Sequence, residues 1–360
     1  MLRTFDKYFV SLFFKKLLFL SLIFFSLIFI LTIFEEITFF SDTQSSLYIP
    51  FLVAALDVPS ALLEIFPFII LITTQLFFLE IIKKKENELI KVNQLDNIYL
   101  IKILTLSAFI FGILIISIYY PFSSKLKFIY FDFKNSYSKD GKYLKHYGEN
   151  GLWIKDEIDN EIYIINATAN NKEKFLKNVF INKFDKNFNL IEVISSKKAE
   201  ISSNDWVIEK PIIFSGNKQV QLKKNIKLSS HFNFDKINKT FRDLNSLNLF
   251  ELYDLKRENE LLGYSSQDVD LHLLKIISLP IYLSIMVIIS AIIMLNIKRD
   301  KPYIFHVLLG ITLSVMIFYM SNIFNIFGLT NKIPIYLSVF FPLIILSVIS
   351  IIGLIRINEK

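Results

Sequence analysis

The chain has 360 residues, a formal net charge of +7 and 53% hydrophobic residues, with a mean hydropathy of +0.47. That is too apolar for an ordinary water-soluble fold and fits a membrane protein. Basic residues flank apolar runs instead of lining one polar face, which excludes nucleic acid as a partner; without cysteine, disulfides, thiolate metal sites and cysteine nucleophiles are excluded too.

A helix crosses the hydrocarbon core with roughly 20 apolar residues, and lone strands would leave backbone groups unpaired in lipid. Six helical spans are predicted on that basis: Leu17–Phe34, about Ala61–Ile82 with Glu64 and Glu80 near its ends, Ile103–Ser124, Ile276–Ile297, Pro302–Phe324 and Ile333–Ile355. The first lacks a small-residue cleavage site and runs directly into Glu35-Glu36, so it reads as an uncleaved anchor. The stretch Leu47–Glu64 mixes apolar residues with Asp57 and Pro59. It reads as an interfacial helix before the second span or as a kinked extension of that span.

Orientation follows from Lys and Arg in short loops. Arg3, Lys7, Lys15 and Lys16 precede the first span, and no Lys or Arg follows until Lys83-Lys84-Lys85. Lys298, Arg299 and Lys301 join the fourth and fifth spans, and Arg356 and Lys360 follow the sixth. Every second junction is basic, so both termini are expected in the cytoplasm of an inner-membrane, multi-pass protein. The chain divides into 1–124 (three spans with a cytoplasmic helix at 83–96), 125–271 (an outer domain) and 272–360 (three spans).

Within the outer segment the pattern shifts to period two. Strands are predicted at Glu161–Ile165, Asn178–Phe184, Leu190–Ile194, Trp206–Glu209, Ile212–Phe214 and Gln219–Leu222, separated by turn-prone pairs such as Asp185-Lys186, Ser203-Asn204 and Gly216-Asn217. Short strands at near-regular spacing point to an antiparallel sandwich or jelly roll. The fold class is thus a six-span α-helical membrane protein with an inserted all-β, jelly-roll-like domain. A helical period returns at about Phe241–Glu260. Open sheet edges would suit strand addition by a β-rich partner; a self-contained sandwich is the alternative.

No chemistry-bearing motif emerges. There is no G-x-x-x-x-G-K-[ST] loop, no G-x-S-x-G elbow and no H-E-x-x-H, so no catalytic or metal-ligating residues are predicted. His146, His231, His272 and His306 are scattered. His306, one turn inside the fifth span, reads as snorkelling towards the basic end of that span or capping it. Candidate lipid contacts are Lys125 and Lys127 just beyond the third span and Lys275 just before the fourth, cations placed to meet lipid phosphates. Glu35 and Glu36, where the first span leaves the bilayer, either contact a charged head group or are simply solvated. In Lys83–Asp96, Leu89, Val92 and Leu95 recur at helical spacing beside Glu86, Glu88 and Lys91. This segment suits an amphipathic helix inserting into a groove on a cytosolic partner, or a solvated loop whose lysines only set topology.

Several short motifs, in order, resemble the lipopolysaccharide-export permease family LptF/LptG (the YjgP/YjgQ type) over nearly the full length. Asp6-Lys7-Tyr8 resembles its D-R-Y opening and Asn87-Glu88-Leu89-Ile90 its S-E-L-x motif; Gly151-Leu152-Trp153-Ile154-Lys155-Asp156 resembles the G-L-W-x-[KR]-[DE] start of its outer domain. Leu279-Pro280 with Lys275 before it, and Ile333-Pro334 opening the sixth span, are similar as well. The G-L-W-type motif leans towards the LptG branch. Asn87 replaces the usual Ser, Gln94-Leu95-Asp96 replaces A-x-G, and the outer end of the first span is acidic where many members are basic.

The resemblance implies a non-enzymatic permease subunit of an ABC-type exporter. Its implied partners are a paralogous LptF-type permease, a cytosolic LptB-type ATPase dimer that holds the ATP and Mg, and an LptC/LptA-type periplasmic bridge that receives lipopolysaccharide. It also implies that Glu86, Glu88, Leu89 and Lys91 couple to the ATPase, with Glu88 as the carboxylate in its groove. A membrane-anchored periplasmic sensor that binds a ligand without transport is the competing class, and a four-span permease of the lipoprotein-release type is another.

Overall fold

A computed structural model describes residues 4–41, 46, 48–84, 97–137, 152–159, 161–169, 174–215, 218–222, 224–240, 242–261, 264–296 and 302–358. The chain forms two compact units, one of Met1–Leu126 with Gln267–Lys360 and one of Lys127–Ser266.

In the first unit, six helices among the described residues are long and apolar enough to cross a membrane. They are α1 (Thr4–Phe40), α2 (Ile49–Lys83), α3 (Asn97–Leu114) running through a π turn (Ile115–Tyr119) into α4 (Tyr120–Tyr137), whose residues from Lys127 onwards are counted with the second unit, α7 (Gln267–Leu295), α8 (Tyr303–Leu329) and α9 (Ile335–Asn358). Most of the apolar length of α2 and α7 is buried inside the unit, whereas α1 and α8 bury little of theirs. Phe9 and Phe13 of α1 meet Phe77 of α2 edge to face, and Phe66 of α2 does the same with Phe111 of α3 and Tyr119. Such pairs contribute beyond the area they bury. The close approach of α3 to α7 depends on a glycine: a Cβ on Gly112 would lie 2.6 Å from the Pro280 Cα. Small residues let backbones approach where lipid leaves packing as the main attraction between helices.

Leu18, Leu22, Ile30 and Leu31 on α1, and Ile304, Met316 and Ile323 on α8, are exposed. An apolar surface of that length is stable against lipid or another membrane protein, not against water. The stretch Leu47–Glu64 is no separate interfacial helix: from Ile49 onwards it belongs to α2, which carries Pro59 and Pro67 inside it. Nor does helix end at Ser124; it continues to Tyr137.

Among the described residues the second unit holds an antiparallel sheet of eight strands, in which consecutive strands pair from β1 to β4. These are β1 (Leu152–Ile158), β2 (Glu161–Ala169), β3 (Phe175–Phe184) and β4 (Leu190–Glu200); then come β5 (Asp205–Ile208), β6 (Ile212–Ser215), β7 (Lys218–Gln221) and β8 (Ile226–Ser229). Long β4 is shared: Ala199 and Glu200 pair with β5, and Val193, Ile194 and Ser195 pair with β6. β8 extends from β5, and β7 from β6. The alternation of buried and exposed residues along β1 turns Leu152, Ile154 and Asp156 inward. A register shift sets two exposed β3 residues, Lys177 and Asn178, in succession. Asn178 takes a positive φ of 49° there, which an Asn tolerates better than most residues.

The curled sheet closes over Ile165, Val179, Ile181, Trp206, Phe232 and Ile237. The Trp206 indole N–H donates to the Phe232 carbonyl at 2.6 Å, which satisfies a fully buried donor. Two short helices, α5 (Phe234–Thr240) and α6 (Leu249–Leu261), follow the last strand. On β1, an end strand of the sheet, the Tyr264 hydroxyl accepts from the Lys155 N–H at 2.8 Å and donates to the Lys155 carbonyl at 3.0 Å. That edge is therefore occupied at Lys155, and burial pushes the Tyr264 phenol up to about 12.

Candidate functional site

Polar side chains in the membrane unit gather where α2, the π turn and α7 meet. The π turn ends at Tyr119 and α4 opens at Tyr120, and these two adjacent tyrosines face different neighbours. The Tyr119 hydroxyl donates to the Pro59 carbonyl of α2 at 2.9 Å. The Tyr120 hydroxyl lies 3.0 Å from His272 Nε2 on α7. His272 and Lys275 are three residues apart and share a helix face. Lys275 is exposed and interacts electrostatically with Glu64 of α2. The tyrosine hydroxyls thus tie three helices together, and the exposed Lys275 ammonium and Glu64 carboxylate are the groups able to meet a charged ligand. Such an arrangement can bind and orient an ionic head group.

The residues expected to touch lipid are distributed unevenly. Lys125 is exposed on α4. Lys127, also on α4 and not beyond the end of a helix, lies with its ammonium over the Tyr130 ring at 4.7 Å and the Phe131 ring at 5.0 Å, a placement stabilised by attraction to the ring faces. Lys275 lies within α7 instead of preceding it. Glu35 and Glu36 do not form a solvated pair. Glu35 is exposed, but Glu36, about 100° further round α1, is 0% exposed. The proposed coupling residues Glu86, Glu88, Leu89 and Lys91 lie outside the described residues.

His306 does not snorkel. It is 7% exposed and its Nδ1 is buried without a hydrogen-bond partner among the described residues. Tyr119 and Tyr120 escape notice in the sequence because nothing in an apolar run announces a π turn. Only the rarity of ionisable groups inside spans marks His272.

None of the curated proteins gives a significant match to the chain. Residues 7–356 match the family described as lipopolysaccharide export system permease LptF/LptG, a match that takes in both the membrane helices and the β domain; the chain belongs to this family of lipopolysaccharide export permeases.

Proposed function

We propose that this chain is one transmembrane subunit of an ABC-type exporter that extracts lipopolysaccharide from the inner membrane and passes it to a periplasmic bridge. The observation that carries this reading is the family match over residues 7–356. Lipid enters sideways into a cavity between this chain and a paralogous permease, with α1 as part of the lateral gate. A cytosolic ATPase dimer, holding ATP and Mg, drives collapse of that cavity through the segment 83–96. The β domain then receives the lipid on its way to the bridge. The lysines and arginines around the start of α1, at the end of α2, between α7 and α8, and at the end of α9 support cytoplasmic termini. The chain itself performs no covalent step.

Affinity purification of the chain from mild detergent tests the assembly: an ABC ATPase and a second six-span permease are expected to co-purify, and their absence overturns the reading. Within that complex Glu88→Lys is expected to uncouple ATP hydrolysis from export or to release the ATPase. Full export by the variant removes Glu88 from the coupling role.

A further inference from the structure

The basic ends of α1 and α2 enclose a pocket of about 480 Å³, lined by Tyr8, Leu12, Lys15, Lys16, Phe19, Glu80 and Lys84. Lys15 and Lys16 immediately precede the unbroken apolar run of α1, and Glu80 and Lys84 end that of α2, so all four lie at the depth where hydrocarbon gives way to head groups. The two Glu80 oxygens are each taken by a different lysine, Lys16 of α1 and Lys84 just past the end of α2. Lys16 Nζ lies 2.5 Å from Oε2, and Lys84 Nζ lies 2.6 Å from Oε1. One carboxylate thereby holds two ammonium groups side by side, and Lys15, exposed on α1, adds a third. Three positive charges against one negative leave the lining with an excess of two.

An ammonium carries three donors, so the bond from Lys16 to Glu80 does not exhaust it. The remaining wall is apolar and open: Phe19 is 58% exposed and Tyr8 44%. A soluble anion would use the lysines and leave Phe19 and Leu12 uncovered. A phosphate attached to acyl chains would use both parts of the wall.

We infer that this pocket binds the phosphate of an anionic phospholipid, a resident lipid of the leaflet at the basic end of the helices, with its chains lying along Leu12 and Phe19. The site is independent of which lipid the chain exports. Glu80 opposes the ligand: paired with Lys16 and Lys84, it lowers the positive charge of the lining from three to two. The ligand recognised is a phosphate oxyanion, and its source is the bilayer.

Native mass spectrometry of the purified full-length chain in its complex, titrated with phosphatidylglycerol or phosphatidylcholine, tests the inference. Phosphatidylglycerol is expected to be retained in preference. One lysine charge near a membrane surface changes such binding by about fivefold, so Lys15→Ala should lower retention by about that factor and Lys15→Arg should restore it. Glu80→Gln should raise retention, because it removes the opposing charge. Equal retention of the two lipids, or a fall in both Lys15→Ala and Glu80→Gln, overturns the site. Displacement of phosphatidylglycerol by inorganic phosphate alone would make it a soluble-anion site and overturn the lipid assignment.

Discussion

The Gln75 side-chain amide on α2 donates a hydrogen bond at 3.1 Å to the backbone carbonyl of His306 on α8. Two apolar helices are thus joined by a polar contact in the interior, with Gln75 0% exposed. The contact depends on Gly310, one turn beyond His306, because a Cβ there would overlap the Gln75 amide. Beside it the Ser290 hydroxyl of α7 donates to the Leu71 carbonyl of α2 at 2.8 Å. The buried centre of the bundle is therefore fastened to α2 from two sides.

Gly310→Ala should displace the Gln75 amide and leave it buried without its acceptor, at a cost of roughly 1–3 kcal/mol. Thermal unfolding in detergent should show a lowered transition temperature. In a Gln75→Ala background the same substitution should cost much less, because the two positions share one contact. An equal loss in both backgrounds would mean that the added methyl meets something other than Gln75.

The six spans and the inserted β domain were legible because both rest on repeated patterns: long uncharged runs for the helices and period-two alternation for the strands. The features that a run cannot encode were lost. The strand predicted to end at Ile194 runs to Glu200: the stretch after Ile194 carries no apolar alternation, and Ser195, Ser196 and Lys198 are held by pairing with β3. The helix expected to stop before Lys125 continues, because lysines with rings one turn away are stable on a helix surface. The solvated reading of Glu36 failed because adjacent helical residues point in different directions, and which of them faces inward is decided by a neighbouring helix. The Lys16–Glu80–Lys84 arrangement joins residues 64 apart between Lys16 and Glu80, and a single sequence offers no sign of such a contact.

Asp156 ends the Gly-Leu-Trp-Ile-Lys-Asp stretch at the start of the β domain and is 2% exposed. Its carboxylate accepts from the Ser230 hydroxyl at 2.7 Å and the His231 N–H at 3.0 Å, and its second oxygen lies 2.8 Å from His231 Nδ1. The first strand is thereby clasped to the chain just after the last. Asp156→Ala leaves the buried Ser230 hydroxyl and the part-buried His231 N–H without their acceptor and should destabilise the β domain by about 2 kcal/mol. Asp156→Asn keeps one acceptor and should cost less. Both tryptophans, Trp153 and Trp206, belong to this domain, so urea unfolding followed by tryptophan fluorescence reads it selectively. An unchanged midpoint in Asp156→Ala would show that the clasp contributes nothing.

The acid and base limits of the same domain depend in part on Glu161 and Lys183. Lys183 Nζ lies 2.8 Å from Glu161 Oε2, which also accepts from the Tyr163 hydroxyl at 3.0 Å. The bond from Lys183 holds the Glu161 carboxyl below its ordinary 4.5, and the bond to Glu161 holds the Lys183 ammonium above its ordinary 10.5. A carboxyl with a lowered folded-state value stabilises the fold above its unfolded value and loses that contribution as pH falls through the lowered one. An ammonium with a raised value stabilises below its unfolded value and loses the contribution as pH rises through the raised one. The pair should therefore support the domain evenly between about pH 5 and pH 10 and fail at both ends, modestly, because it is partly exposed to solvent. Lys183→Met removes the partner of Glu161 as well as the cation. In that variant the fluorescence midpoint measured against pH should lose stability relative to the parent across the middle range, and the difference should shrink below pH 4.5, where the carboxylate protonates. A difference that stays constant down to strong acid would show that Lys183 acts through packing on Tyr163, whose ring centroid lies 5.7 Å from its ammonium, and not through the charge of Glu161.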